Sequence, residues 1–253
     1  MIDFFSDLDN TFVYSHRVSL PGQRVAVEYL NNRVQSYMTQ KSFNFLTTQD
    51  KIRLIPVTTR TCEQYARLSE TFMGFGCQYA LVCNGGILLH NNKVDPRWIA
   101  ETRLIAEDGV SWLLEAEKFI RLELSVQNIH KAEGIMIYAR VDDPPLAASR
   151  LSQAFKGSKL TIYFDSRKVY CIPSAINKGA ALKRFSAREG ISWSVAAGDS
   201  IPDLPMLEAA DAAILPSGLS HMVVNPRKRV FRGSHCFSDF ICDELSDLLP
   251  MGT

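Results

Sequence analysis

The sequence predicts an α/β protein built on an open parallel sheet, with a second, α+β unit inserted into it. Three observations carry this. Short apolar runs recur along the 253 residues, and stretches with apolar residues at helical spacing follow them, the alternation that builds parallel sheets. One long segment, about Leu88 to Pro173, breaks that rhythm. Acidic and polar residues fall directly after the apolar runs, where such sheets collect their ligands.

The strands of the sheet are expected at Ile2–Phe5, Lys51–Val57 (KIRLIPV), Tyr79–Cys83 (YALVC), Ser194–Ala197 and Ala212–Leu215. Amphipathic stretches at Cys62–Phe72, Lys178–Glu189 and Leu204–Ala210 read as its helices, and Ser238–Leu249 as a surface helix with Phe240, Ile241, Leu245 and Leu248 inward. Val25–Thr39 alternates with period two on both sides of Asn31-Asn32, a β-hairpin pattern. It follows the first strand closely, so it is placed to form a flap over whatever lies at that strand's end. The inserted unit, residues 88–173, holds a helix at Pro96–Lys118, a strand at Gly134–Val141, a helix after Pro144-Pro145, and strands at LTIYF and KVYCI. Residues 1–87 and 174–253 then form the core.

Composition excludes several classes. The chain is 46% hydrophobic and 22% charged with a net charge of +1, so nothing points to a nucleic-acid or anionic-membrane partner. No apolar run is long enough to span a bilayer, and no basic leader precedes a long apolar stretch, so the expected location is cytoplasmic. Cys62, Cys77, Cys83, Cys171, Cys236 and Cys242 include no C-x-x-C pair, and the five histidines are scattered, which argues against zinc and for reduced, buried thiols. Lys228 and Arg229, near Arg232, read as a solvated loop, and Arg167-Lys168 as a surface turn.

The chemistry gathers at strand ends. Asp7, Asp9 and Thr11 follow the first strand, Thr58, Thr59 and Arg60 the second, and Asn84-Gly85-Gly86 the third. Lys178 opens a helix, and the strand at Ser194–Ala197 runs into GDSIPD, with Asp199, Ser200 and Asp203. Oxygens of Asp7, Asp199 and Asp203 with the Asp9 carbonyl suit an octahedral Mg²⁺. One carboxylate can attack phosphorus and another can move the proton, while Thr58, Thr59 and Lys178 hold phosphoryl oxygens. Each piece alone has a plainer reading: a capped turn at Asp7, a helix cap at Thr58-Thr59, a solvated lysine at Lys178. A calcium loop starting at Asp7 fails, because Phe12 stands where its glycine belongs and Val18 where its glutamate belongs.

Taken together, the sequence resembles the haloacid-dehalogenase-like (HAD) superfamily of phosphatases. DLDNT resembles the D-x-D-x-T motif, PVTTR the strand that ends in Thr or Ser, NKGAAL the lysine at a helix start, and GDSIPD the G-D-S-x-x-D motif. Their spacing is similar to that of the subgroup with a large α+β cap between the second and third motifs, which includes sugar-phosphate phosphatases, and NGG resembles the tripeptide that precedes that cap. The resemblance implies a Rossmann-like three-layer core, a cap at 88–173, and Mg²⁺-dependent hydrolysis of a small phosphorylated metabolite, a sugar phosphate or derivative, through an aspartyl-phosphate. It implies Asp7 as nucleophile and Asp9 as general acid/base. Thr58, Thr59, Lys178 and Asn84 would serve phosphate and substrate, with Arg60 facing the substrate or the cap opening. Asp7, Asp9 (through its carbonyl) and Asp199 would hold the metal, with Asp203 supporting it directly or through water. A phosphotransferase or mutase using the same aspartyl-phosphate, and a non-catalytic ligand-binding protein, remain as alternatives; oligomeric state is left open. Two positions depart from the family pattern: Asn10 stands where glycine is common, and Pro202 where an asparagine is common, removing a polar side chain and a backbone donor.

Overall fold

The computed structural model describes residues 1–249 except Gln127, Ser166 and Ser234. Five strands form a parallel sheet in the order Lys228–Phe231, Ala212–Pro216, Ser194–Ala197, Ile2–Ser6, Ile52–Pro56. Successive residues of a strand face opposite sides, and both Phe4 and Phe5 are fully buried, so both faces of the sheet are covered. Phe5 meets Phe185 of the helix Lys178–Glu189 edge-on on one face, and Phe4 meets Phe12 on the other. Burying each such ring contributes about 1.5–3 kcal/mol.

Two strand readings need correction. Tyr79–Val82 is a strand, but it joins the parallel sheet only through a bridge between Val57 and Leu81, and its regular partner is the antiparallel Ile87–His90. The cause is the turn that follows. Cys83, Asn84 and Gly85 have φ of 50°, 59° and 87°, and three left-handed residues in a row fold the chain straight back. Lys228–Phe231 is an edge strand, not a loop: Lys228 Nζ donates to the carbonyls of Ser220 (2.8 Å) and Val223 (2.6 Å), and Arg229 pairs with Glu244. Charged residues suit the open edge of a sheet, and they are what makes the segment read as a loop.

The hairpin is present as Arg24–Leu30 and Arg33–Thr39, with Asn31 and Asn32 both at positive φ as its two-residue turn requires. Tyr14–Ser15 adds a third strand. Its register slips twice, between Ala26 and Glu28 on one strand and opposite Glu28-Tyr29 on the other. A helix unannounced by the sequence pattern, Gln40–Thr48, follows with Thr39 as its cap. The amphipathic stretch after the second strand is two short helices, Cys62–Ala66 and Ser69–Gly74.

The chain divides into two compact units, Met1–Val94 with the chain from Lys178 on, and Asp95–Asn177. The second unit thus starts seven residues later than the expected 88 and ends at 177 instead of 173. Asp95 caps the helix Pro96–Glu123, and Asp143 caps Pro144–Ala154. Both helices pack on one face of an antiparallel sheet ordered Leu160–Phe164, Lys168–Pro173, Met136–Arg140, Ile129–Ala132, around Leu113, Ile120, Ile137, Leu151 and Val169. On the opposite face Tyr163, Tyr170, Tyr138 and His130 are successive register partners, and their rings stack in one row. Lys168, expected in a surface turn, begins a strand and holds its ammonium 5.0 Å from the Tyr138 ring centroid.

Candidate active site

The parallel register brings the polar residues to one edge. Ser6 pairs with Ala197 on one side and Pro56 on the other, so the chain leaves all three strands at the same level. Asp7 N donates to Ala197 O at 2.9 Å, and Val57 N donates to Ser6 O at 2.7 Å. Past Asp7 the backbone makes a helical turn on the Leu8 carbonyl, which accepts from Thr11, Phe12 and Val13. Asn10 sits in that turn at φ 60°. This explains the missing glycine, because asparagine is the side chain that best tolerates the left-handed region.

Four residues close around Asp7. Lys178 Nζ lies 2.5 Å from Asp7 Oδ1 and 2.5 Å from Asp203 Oδ1. Thr11 Oγ1 stands 3.2 Å from both Asp7 Oδ2 and Asp199 Oδ1, so the two carboxylates converge on one hydroxyl. Oδ2 of Asp203 accepts from the backbone N–H of Asp199 and Ser200 and from the Ser200 hydroxyl, at 3.1, 2.9 and 2.8 Å. Both Asp203 oxygens are thereby engaged, which suits a residue that holds the loop and Lys178 in place. Gly198 is needed here: a Cβ on it would lie 2.5 Å from Asp203 Cγ. Pro202 costs the loop no hydrogen bond within the turn, since it lies in the first turn of the 3₁₀ segment Ile201–Asp203, where N–H groups have no intrahelical partner.

The charges in this group do not balance. Asp7, Asp199 and Asp203 face a single ammonium, leaving two negative charges with little water around them. Burial pushes the Asp7 carboxyl well above the usual range; Lys178 pulls it down, while Asp203, Asp199 and Asp9 push it further up. Burial and the Asp203 charge push Asp199 up to about 7. Burial alone would depress Lys178, but Asp203 and Asp7 more than offset it and hold the ammonium above the lysine range. Carboxylate oxygens of Asp7, Asp199 and Asp203 lie within 4.8 Å of one another. Hard oxygen donors with a deficit of two positive charges fit a divalent cation such as Mg²⁺.

Asp9 belongs to a separate, neutral group. Arg60 grips it with a two-pronged fork, Nε to Oδ2 at 2.9 Å and Nη2 to Oδ1 at 2.8 Å. The same guanidinium donates to Glu28 Oε1 and Oε2 at 2.9 and 3.0 Å and to the Gln64 carbonyl at 3.3 Å, so all five N–H donors are placed. Arg60 therefore faces inward onto two carboxylates, where the sequence reading turned it toward the substrate or cap opening. Arg67 Nε completes the quartet, 2.8 Å from Glu28 Oε1.

Thr58 is fully buried and its Oγ1 accepts from Arg60 N at 3.1 Å. Asn84 N donates to Thr58 O at 2.8 Å, which ties the NGG turn to the threonine strand end. Thr59 follows, partly exposed. Neither threonine caps a helix: Thr61 does, in a reciprocal box with Gln64. Sequence reading gave no role to Thr11 or Ser200, though both sit inside motifs that it singled out. Glu28 gave no signal, because a glutamate in an alternating hairpin reads as solvent-facing.

No family model matches the chain, and no curated protein matches it. Solved structures do. The sucrose-phosphatase of Synechocystis sp. PCC6803, solved with sucrose and phosphate, superposes with a TM-score of 0.63 at 18% identity over 97% of this chain and 98% of that one. A HAD/COF-like hydrolase of Plasmodium vivax gives 0.64 at 14% identity, over 98% and 96%. The trehalose-6-phosphate phosphatase of Aspergillus fumigatus gives 0.54 at 12%, over 97% and 91%. At these identities the likeness is one of fold, and the motif positions read from the sequence converge at the strand ends of that fold. The chain has the haloacid-dehalogenase-like fold, a Rossmann-like parallel core with an α+β unit inserted in it.

Proposed function

We propose that this protein is a Mg²⁺-dependent phosphatase that hydrolyses a small phosphorylated metabolite, a sugar phosphate or derivative, through an aspartyl-phosphate on Asp7. The observation that carries the reading is the convergence of Asp7, Asp199, Asp203, Thr11 and Lys178 at one strand-end edge with two negative charges in excess. The superposed sucrose and trehalose-6-phosphate phosphatases support the substrate class.

In this reading Asp7 and Asp199 side chains and the Asp9 carbonyl hold the metal, which supplies charge neutralisation at the phosphoryl group. Lys178 and Thr11 fix the Asp7 carboxylate, one oxygen each. A carboxylate oxygen attacks phosphorus, the Asp7–O–P bond forms, and the bond from phosphorus to the leaving oxygen breaks. Asp9, half exposed, once protonated and released from the Arg60 fork, gives its proton to that oxygen. Water then attacks phosphorus, Asp9 takes a proton from it, and cleavage of the Asp7–O–P bond releases orthophosphate. Thr58, Thr59, Asn84 and Lys178 receive the phosphoryl oxygens, where charge sits in the transition state. Residues 95–177 act as the cap that selects the substrate.

The test is phosphate release from a panel of phosphorylated sugars and related metabolites with Mg²⁺, with and without chelator. Wild type releases phosphate; Asp7→Asn and Asp9→Asn lose at least about a hundredfold. An Asp7→Asn enzyme at full rate sinks the mechanism. Transfer to an added acceptor alcohol in preference to water would make the enzyme a phosphotransferase, and tight binding with no turnover would make it a binding protein.

A further inference from the structure

The hairpin carries a buried acid outside every motif. Glu28 has a side chain only 3% exposed, and its carboxylate accepts from Arg60 Nη1 and Nη2, Arg67 Nε and Ser36 Oγ (2.7 Å). A plain strand would not aim it there. Val27 and Glu28 are consecutive, yet both are buried, because the register slip between Ala26 and Glu28 inserts an extra residue and re-aims the glutamate. A matching slip on the partner strand then restores the pairing toward the Asn31-Asn32 turn.

What this bulge positions is Arg60. The guanidinium is planar, so fixing one edge of it on Glu28 fixes the plane in which its other edge meets Asp9. Glu28 also gives the buried cation an anionic seat that does not depend on Asp9. We propose that Glu28 is a positioning residue for catalysis: it holds Arg60 in place independently of Asp9, so that the Asp9 carboxyl can leave the fork, take up a proton and give it to the leaving oxygen. This rests on the phosphatase reading and adds to it a role for the hairpin. Burial alone would raise Glu28, but the hydrogen bonds and charge of Arg60, with hydrogen bonds from Ser36 and Arg67, hold it down to about 2, in agreement with a fixed ion pair at this place.

The leaving group provides the test. A p-nitrophenolate departs without a proton, whereas an alkoxide needs one, so misplacing the acid slows alkyl phosphates selectively. In Glu28→Gln, kcat/KM for an alkyl phosphate is expected to fall about tenfold or more while that for p-nitrophenyl phosphate falls less than about threefold. The Arg60 Nε–H, bonded to Asp9 in wild type, is expected to lose its slowly exchanging NMR signal in the same variant. Should Glu28→Gln fail to fold, Ser36→Ala removes one hydrogen bond from Glu28 and is expected to move both readouts the same way by a smaller factor, about twofold. A folded variant that slows both substrates equally, or neither, overturns the proposal while leaving the phosphatase reading intact. A wild type inert toward every phosphate ester overturns that reading, and this proposal with it.

Discussion

Lys178 Nζ and Asp7 Oδ1 are 2.5 Å apart, a fully buried contact between residues 171 positions apart in the chain. Removing the cation strands Asp7 and Asp203 as buried like charges. Lys178→Met is expected to cost about 3–5 kcal/mol in metal-free protein, read from urea unfolding. Added Mg²⁺ is expected to recover part of that loss without restoring phosphate release. A variant as stable as wild type would mean that the ion pairs do not form in solution.

Asp199 and Asp203 are expected to separate on metal binding. Asp199→Asn removes an oxygen that converges with Asp7 on Thr11, and Mg²⁺ binding by calorimetry is expected to be lost. Asp203 has both oxygens engaged by Lys178 and the Asp199–Ser200 segment, so Asp203→Asn weakens Mg²⁺ about 10–100-fold, the effect of an outer partner. Equal losses would place Asp203 directly on the metal.

Glu28 makes stability depend on pH in the acid range. Its folded value, about 2, lies below the ordinary value of 4.5, so the ionised form stabilises the fold above that value and the contribution is lost as pH falls toward 2. The stability difference between wild type and Glu28→Gln, on the order of 2 kcal/mol near neutral pH, is expected to shrink between pH 5 and pH 2. Urea midpoints across that window check it; a constant difference would rule out the linkage.

Asn10 supplies a backbone test. At φ 60° it is expected to accept glycine within about half a kcal/mol, while Asn10→Val costs about 1–2 kcal/mol or more. Thermal unfolding of the two variants distinguishes them, and equal melting temperatures would show that the turn relaxes away from the left-handed region.

Much of the site was legible because its residues sit at fixed offsets from strand ends. Asp7, Thr58, Lys178 and Asp199 needed only the alternation of apolar runs and helical stretches to be placed on one edge. Orientation was harder. Arg60 follows Thr58 in a motif, yet its direction is set by Glu28, 32 residues away in another element. The burial of Glu28 is set by a bulge that alternation of apolar residues does not encode. Tyr79–Cys83 has the composition of a parallel strand, and only the three left-handed residues after Val82 turn it into a hairpin. Lys228–Phe231 shows the reverse: edge position overrides a charged, loop-like composition.

The split of the core has a consequence for synthesis. A ribosome releases Asp7, Thr58 and the first two parallel strands well before Lys178, Asp199 and the strands that flank Ile2–Ser6 on its other side. The 83 residues of Asp95–Asn177 emerge in between and have their own apolar interior. The nascent core must therefore wait, with one side of its first strand unpaired, until the C-terminal third arrives. Chain order makes the unit that folds from contiguous sequence the first to finish and the carboxylate-bearing edge the last.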